Sequence, residues 1–216
     1  MINEFHYPKP KRLPIGPRIK GKEYMSPKDV DWLFKSRLLI EEKMDGKQVF
    51  FEAGNYILWC EDLLRKHSIK YRVPGRYALF DVYDRNKKQF LDWAHKIEVW
   101  EDIRRGKILI KDRSMQNSSL LIFPVPKVAV VRGKTPLEIA NLITFSVYAK
   151  DGKLNPAMME GVVIKQDRIQ FYIEFITGKL VREEFEKGIT TNYLNLPKEN
   201  NIIDPSIPVV LEYNHI

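Results

Sequence analysis

The sequence predicts one α+β domain built mainly on antiparallel sheet. Its apolar runs are mostly short and bounded by Gly, Pro or charged turns, which is the pattern of strands. Helix signals are confined to a few brief segments, and the 216 residues show neither an internal repeat nor a linker. A chain of this length buries enough apolar surface to fold without disulfides or a structural metal.

Residues 1–23 (with YPKPKRLPIGPRIKGK at their heart) are rich in Pro, Lys and Arg and lack periodicity. They read as a basic arm packed on a domain spanning 24–216, or as a mobile tail. A helix is predicted to start at Ser26-Pro27, with Ser26 as N-cap and Pro27 in the first turn. Strands follow at Leu38–Ile40, Val49–Phe51, Tyr56–Trp59 and Tyr77–Tyr83. From Asp92 to Arg105 the spacing of Trp93, Ile97, Trp100 and Ile103 places them on one helix face. Val125–Val131 reads as a strand, and Thr135-Pro136 opens a short helix to Leu142. Gly161–Lys165 and Ile169–Ile176 are the last clear strands. The charged run Val181–Lys187 suits a helix, and the tail after Leu196 has room for one more strand but no second domain.

Hydrophobic residues make up 44% and charged residues 30%, an ordinary globular balance. The one cysteine, Cys60, excludes a disulfide framework and a multi-cysteine metal site. No segment approaches the ~20 apolar residues of a membrane span or has the form of a signal peptide. A soluble, cytoplasmic protein is expected, with no membrane partner. The net charge of +8 favours polyanionic partners. Lys9, Lys11, Arg12, Arg18, Lys20 and Lys22 either grip phosphates or form a solvated tail.

Four segments carry chemistry. Glu42-Lys43-Met44-Asp45-Gly46 places a lysine between a strand and a tight turn, where it can serve as a nucleophile if its amine is deprotonated. Taken alone, Asp-Gly is an ordinary hairpin turn. Leu79-Phe80-Asp81-Val82 sets an aromatic beside a carboxylate. Glu160-Gly161-Val162-Val163-Ile164-Lys165 has an acid at one end of a buried strand and a lysine at the other. Gly178-Lys179-Leu180-Val181-Arg182 adds cations. An aromatic platform, carboxylates and lysines together are what a nucleoside triphosphate site requires.

In this order the segments resemble motifs I, III, IV and the start of motif V of the covalent nucleotidyltransferase superfamily, which contains the ATP-dependent polynucleotide ligases and the mRNA capping enzymes. The run Glu61-Asp62-Leu63-Leu64-Arg65-Lys66-His67-Ser68-Ile69-Lys70-Tyr71 and the opening Tyr7-Pro8-Lys9 are similar to the RNA ligase branch. The resemblance spans about residues 7 to 185. It implies an ATP-grasp-like adenylation domain of the DNA/RNA ligase type, with antiparallel sheets flanking a nucleotide cleft, peripheral helices and no OB-fold.

By resemblance, Lys43 forms a phosphoamide with AMP, and Asp45 and Gly46 shape its turn. Glu42 lies by the adenine edge, Glu61 holds the ribose and Phe80 stacks on adenine. Glu160 places Mg²⁺ or Mn²⁺, while Lys165 and Lys179 contact the α-phosphate. The implied activity is ATP-dependent joining of RNA 5′-phosphate and 3′-hydroxyl ends in RNA repair, and a homodimer is compatible with it. A DNA ligase or mRNA guanylyltransferase core, or a non-catalytic RNA- or nucleotide-binding module, are the alternatives. Three positions depart from the pattern: Cys60 replaces a Gly, Gln48 an Asn or Arg, and Lys-Leu-Val-Arg stands for Lys-x-Lys, leaving Arg182 as a candidate second cation.

Overall fold

Two sheets lie either side of a cleft, and the alternation of side chains along their strands decides which residues enter it. The computed structural model describes residues 6–15, 18–111, 121–151, 153–182 and 199–213. The first sheet runs in the order β1 (Lys11–Arg12), β14 (Thr177–Val181), β12 (Gly161–Gln166), β2 (Leu38–Glu42) and β9 (Lys127–Val131). Its pairs are antiparallel except β1 with β14, which is parallel.

The second sheet orders β13 (Gln170–Phe171), β7 (Gln89–Phe90), β6 (Tyr77–Asp84), β4 (Tyr56–Asp62) and β3 (Lys47–Ala53), with β8 (Ile122–Pro124) parallel to β6. A smaller sheet holds β11 (Pro156–Met158), β10 (Phe145–Lys150), β5 (Lys70–Val73) and β15 (Ile202–Ile203). The described residues are mostly sheet with few helices, an α+β arrangement.

Helix α1 (Pro27–Phe34) is started by a capping box in which Ser26 and Asp29 satisfy each other's backbone amides. Its Leu33 packs with Leu38, Ile40, Val162, Ile164 and Leu180. Because strand side chains alternate, the opposite face of that sheet presents Glu41, Val163, Lys165 and Lys179. Helix α2 (Trp93–Arg104), capped by Asp92, packs Val99, Trp100 and Ile103 on Leu58, Cys60, Leu79 and Val82 of the second sheet. Helix α3 (Pro136–Ala140) has a second capping box, from Thr135 and Glu138. No helix among the described residues is long and apolar enough to cross a membrane.

Three predicted elements differ. The apolar run Ile169–Ile176 is not one strand: two residues pair with β7, and Tyr172–Glu174 form a 3₁₀ turn. The turn leaves Ile173 90% exposed, while Phe175 folds inward to stack on Phe90 with ring centroids 3.8 Å apart. There it lies against Tyr7 of the arm, so the segment cradles the arm instead of widening the sheet. The expected strand Val125–Val131 is shortened at its start, because Pro126 brings no amide to a ladder, and β9 begins at Lys127. Val181 ends a strand where a helix was predicted; 183–187 lie outside the described residues, and the tail supplies β15.

The arm is tied down at Arg12. Its amide donates to the Glu23 carbonyl, its carbonyl accepts from Met25, and β1 runs alongside β14.

Candidate active site

The cleft between the two sheets encloses about 210 Å³. Glu41, Lys43, Val163, Lys165 and Lys179 face it from the first sheet, with Gln48, Glu61 and Phe80 from the second. Met44, Val125 and Glu42 close it, and Tyr7, Lys9 and Pro10 of the arm add a wall.

Lys43 follows β2 directly, its amide bonded to the Gly161 carbonyl at 3.0 Å. The ammonium lies 2.6 and 2.7 Å from the two carboxylate oxygens of Glu160. Burial pushes the lysine toward its neutral form, but the Glu160 carboxylate more than offsets this and holds its pKa above the usual value. Lys43 is therefore an ammonium here, and its nucleophilic form requires a proton to leave.

Two glycines make this junction possible. A Cβ on Gly161 would sit 2.0 Å from the Leu180 carbonyl oxygen, and one on Gly46 would sit 2.7 Å from that of Asp62. Asp45 fixes the turn from both ends: its amide donates to the Tyr71 hydroxyl at 3.0 Å, and its carboxylate accepts from the Ser68 amide at 2.9 Å. The His-Ser-Ile-Lys-Tyr run thus braces the lysine's turn.

Glu61 stands opposite Gln48 across the β3–β4 pair. One of its carboxylate oxygens is buried without a partner, and burial lifts its pKa to about 7 against the pull of Lys43. Cys60, beside it, packs into the core behind the sheet, next to a register shift in β4. Phe80 lines the cleft half-buried, with Tyr7 edge-on at 5.0 Å.

Lys165 lines the cleft, yet its ammonium is committed to the protein. It meets Glu41 at 2.5 Å and donates to Asp81 and to the Phe80 carbonyl, both at 2.8 Å. Helix α2 sends a second lysine into the same place: Lys96, 2% exposed, pairs with Glu41 and donates to the Phe80 carbonyl at 3.1 Å. The Tyr7 hydroxyl completes the set by donating to Asp81 at 2.5 Å. Two carboxylates and two ammoniums balance, which is how such charges survive burial.

Sequence reasoning missed Glu41, Lys96 and Tyr7 and left Asp81 open. A signal existed for Lys96, which falls among Trp93, Trp100 and Ile103 on the apolar face of its helix. A lysine there needs a buried acid.

Glu42 points to the face opposite Glu41. The Tyr213 hydroxyl donates to it at 2.6 Å, and Ser146 gives it a second hydrogen bond. Burial still raises its pKa to about 7. Lys179 is the contrasting cation. Burial, then Lys43 and Arg12, lower its pKa to about 8. Arg182 does not line the cleft; its guanidinium and its amide donate to the Met159 and Glu160 carbonyls, holding the turn that carries Glu160.

Searches of curated proteins and of solved structures returned no match. The RNA ligase family model matches residues 27–177, a span that includes Lys43, Glu61, Phe80, Glu160 and Lys165. On that match, which covers more than half of its length, the chain belongs to the RNA ligase family.

Proposed function

We propose that this protein is an ATP-dependent RNA ligase that works through an AMP–Lys43 intermediate. The observation carrying this reading is the convergence on one cleft of Lys43, Glu61, Phe80, Lys165 and Lys179, drawn from strands of two sheets, with Glu160 on Lys43.

In the proposed first step the Lys43 amine attacks the α-phosphorus of ATP. A nitrogen–phosphorus bond forms, the bond to the bridging oxygen of the β-phosphate breaks, and pyrophosphate leaves. Lys43 must first give up a proton and its contacts with Glu160. Lys179, charged below about pH 8, offsets the negative charge at phosphorus. Phe80 offers a face for the base, and the unpartnered oxygen of Glu61 can accept from a ribose hydroxyl. AMP then passes to an RNA 5′-phosphate, and a 3′-hydroxyl displaces it to join the ends.

Among the described residues no three acidic, histidine or cysteine side chains converge as a metal cage. The oxygen donors Glu160 and Glu61 nonetheless suit Mg²⁺ or Mn²⁺, which take one or two carboxylates together with phosphate oxygens. When bound, such an ion supplies positive charge that favours the neutral amine and draws electrons from the phosphate.

The test is end joining. A 5′-phosphorylated RNA with a free 3′-hydroxyl, given ATP and Mg²⁺, should form circles or joined products, and the same RNA lacking its 5′-phosphate should not. Joining of DNA alone would point to a DNA ligase, and nucleotide binding with no joining of either would point to a binding module.

A further inference from the structure

Strand β3 sends alternate side chains to opposite faces of its sheet. Val49 and Phe51 go to the face that α2 covers, where Phe51 meets Tyr77 with ring centroids 4.8 Å apart. Gln48 goes the other way and lines the cleft, opposite Glu61 of β4. Phe50, two residues on, stands on that same cleft face, opposite Trp59. Roughly 7 Å of strand separates it from Gln48.

Phe50 is the open end of a row of aromatic rings that begins inside the cleft. Phe80 has Tyr7 edge-on at 5.0 Å, Tyr7 meets Trp59 at 5.4 Å, and Trp59 meets Phe50 at 5.2 Å. Tyr7 and Trp59 are 7% and 5% exposed, whereas Phe50 is 45% exposed. Strand β3 ends the strand order of its sheet, so no further strand flanks the ring on its outer side. At the next position on the same face, Glu52 pairs with both Arg85 and Lys111, one carboxylate between two cations. An exposed ring that leads from a nucleotide cleft toward cations is suited to single-stranded nucleic acid, the ring taking a base and the cations its phosphates.

We propose that Phe50 stacks on a base of the RNA next to the junction to be sealed, and so holds one RNA end at the mouth of the cleft. The proposal rests on the ligase reading and names the part of the RNA that this face takes. The base of the nucleotide has its platform in Phe80 inside the cavity, which leaves Phe50 to the polymer. Membership of the RNA ligase family and continuity with the cleft favour RNA over a protein segment as the occupant.

Phe50→Ala and Phe50→Trp are compared with wild type in two assays: AMP attachment at varied ATP, and sealing of RNA that already carries a 5′-adenylyl group. Phe50→Ala should raise the KM for that RNA about tenfold and leave the KM for ATP within about twofold, and Phe50→Trp should restore sealing. Abasic nucleotides placed one at a time beside the junction should cost the wild type a similar factor at one position, and cost Phe50→Ala nothing more there. A structural role would not produce that non-additivity. Independent losses from ring and base would overturn the stacking. A raised KM for ATP with normal sealing would overturn it by giving the ring to the nucleotide, and equal loss in both assays by giving it to the scaffold. A wild-type dimer that Phe50→Ala dissolves with sealing unchanged would make this face a contact between copies, and no change in any assay would leave the ring without a ligand; both overturn the proposal. If the wild type forms no AMP adduct, the ligase reading fails by itself. Binding of a short single-stranded RNA to wild type and Phe50→Ala then decides the stacking site, with equal affinities overturning it.

Discussion

Behind Phe80 and at the mouth of the cleft, the protein handles buried charge in opposite ways. Behind Phe80, Glu41 and Asp81 face Lys165 and Lys96, two charges against two, with the Phe80 carbonyl accepting from the lysines and the Tyr7 hydroxyl donating to Asp81. At the mouth, Lys43 pairs with Glu160 while Lys179 is held at a pKa of about 8 by burial and then by Lys43 and Arg12, and burial lifts Glu61 to about 7. The closed set is complete without a ligand and positions the strand ends. In the proposed reaction the open set meets the phosphates of the nucleotide. Neighbouring glutamates in one strand, Glu41 and Glu42, show how finely this is drawn: lysines neutralise the first, and hydroxyls hold the second.

The largest effect should come from opening the closed set. Lys96→Met leaves Glu41 and Asp81 with one cation and should cost about 3–5 kcal/mol, a fall in Tm of roughly 10 °C. Adding Glu41→Gln should recover part of it. A variant as stable as wild type would mean the quartet does not hold these strands together.

The same type of change at the mouth should do the reverse. Lys179→Met removes a charge from a repelling group, so Tm at pH 7 should hold or rise, while the rate of AMP attachment falls about 10²–10³-fold. The sign follows from the depressed pKa. Between about 8 and the unfolded value near 10.5 the native state has released a proton that the unfolded chain keeps, so stability contributed at this site rises with pH across that window. Lys179→Arg should keep its charge above pH 8 and sustain the rate there, where the wild type declines.

A smaller effect is expected at Glu61. Its native pKa of about 7 exceeds the unfolded value of 4.5, so the native state holds an extra proton between them. Stability at this site is present below pH 4.5 and lost as pH rises through 7. Glu61→Gln should therefore raise Tm by about 2–4 °C at pH 8 and leave it unchanged at pH 4. Equal Tm at both values would show that the carboxyl is not held in its acid form.

The contrast between the two sets also explains what could be read from the sequence. The open set sits next to turns and glycines, where Lys43-Met44-Asp45-Gly46 and Glu160-Gly161 mark themselves by local chemistry; the helix starts at Ser26 and Thr135 were legible from their caps, and the helix after Asp92 from the spacing of its apolar residues. The closed set depends on long-range register. Lys96 reaches Glu41 across 55 positions, and Lys165 reaches Asp81 across 84. Lys165 was recognised, but its engagement by Glu41 and Asp81 was not, because nothing local distinguishes an ammonium aimed at phosphate from one aimed at a buried acid. The run Ile169–Ile176 was misread for a related reason: its aromatic residues pack on an arm more than 160 positions away, as the Tyr172 hydroxyl bonded to the His6 carbonyl shows.

The most direct test of the account is the intact mass of the denatured protein after incubation with ATP and Mg²⁺, for wild type and for Lys43→Ala. The account predicts a gain of about 329 Da, one AMP, in the wild type and none in the variant. It is contradicted if folded wild type that carried no AMP beforehand gains nothing, or if Lys43→Ala gains the same mass.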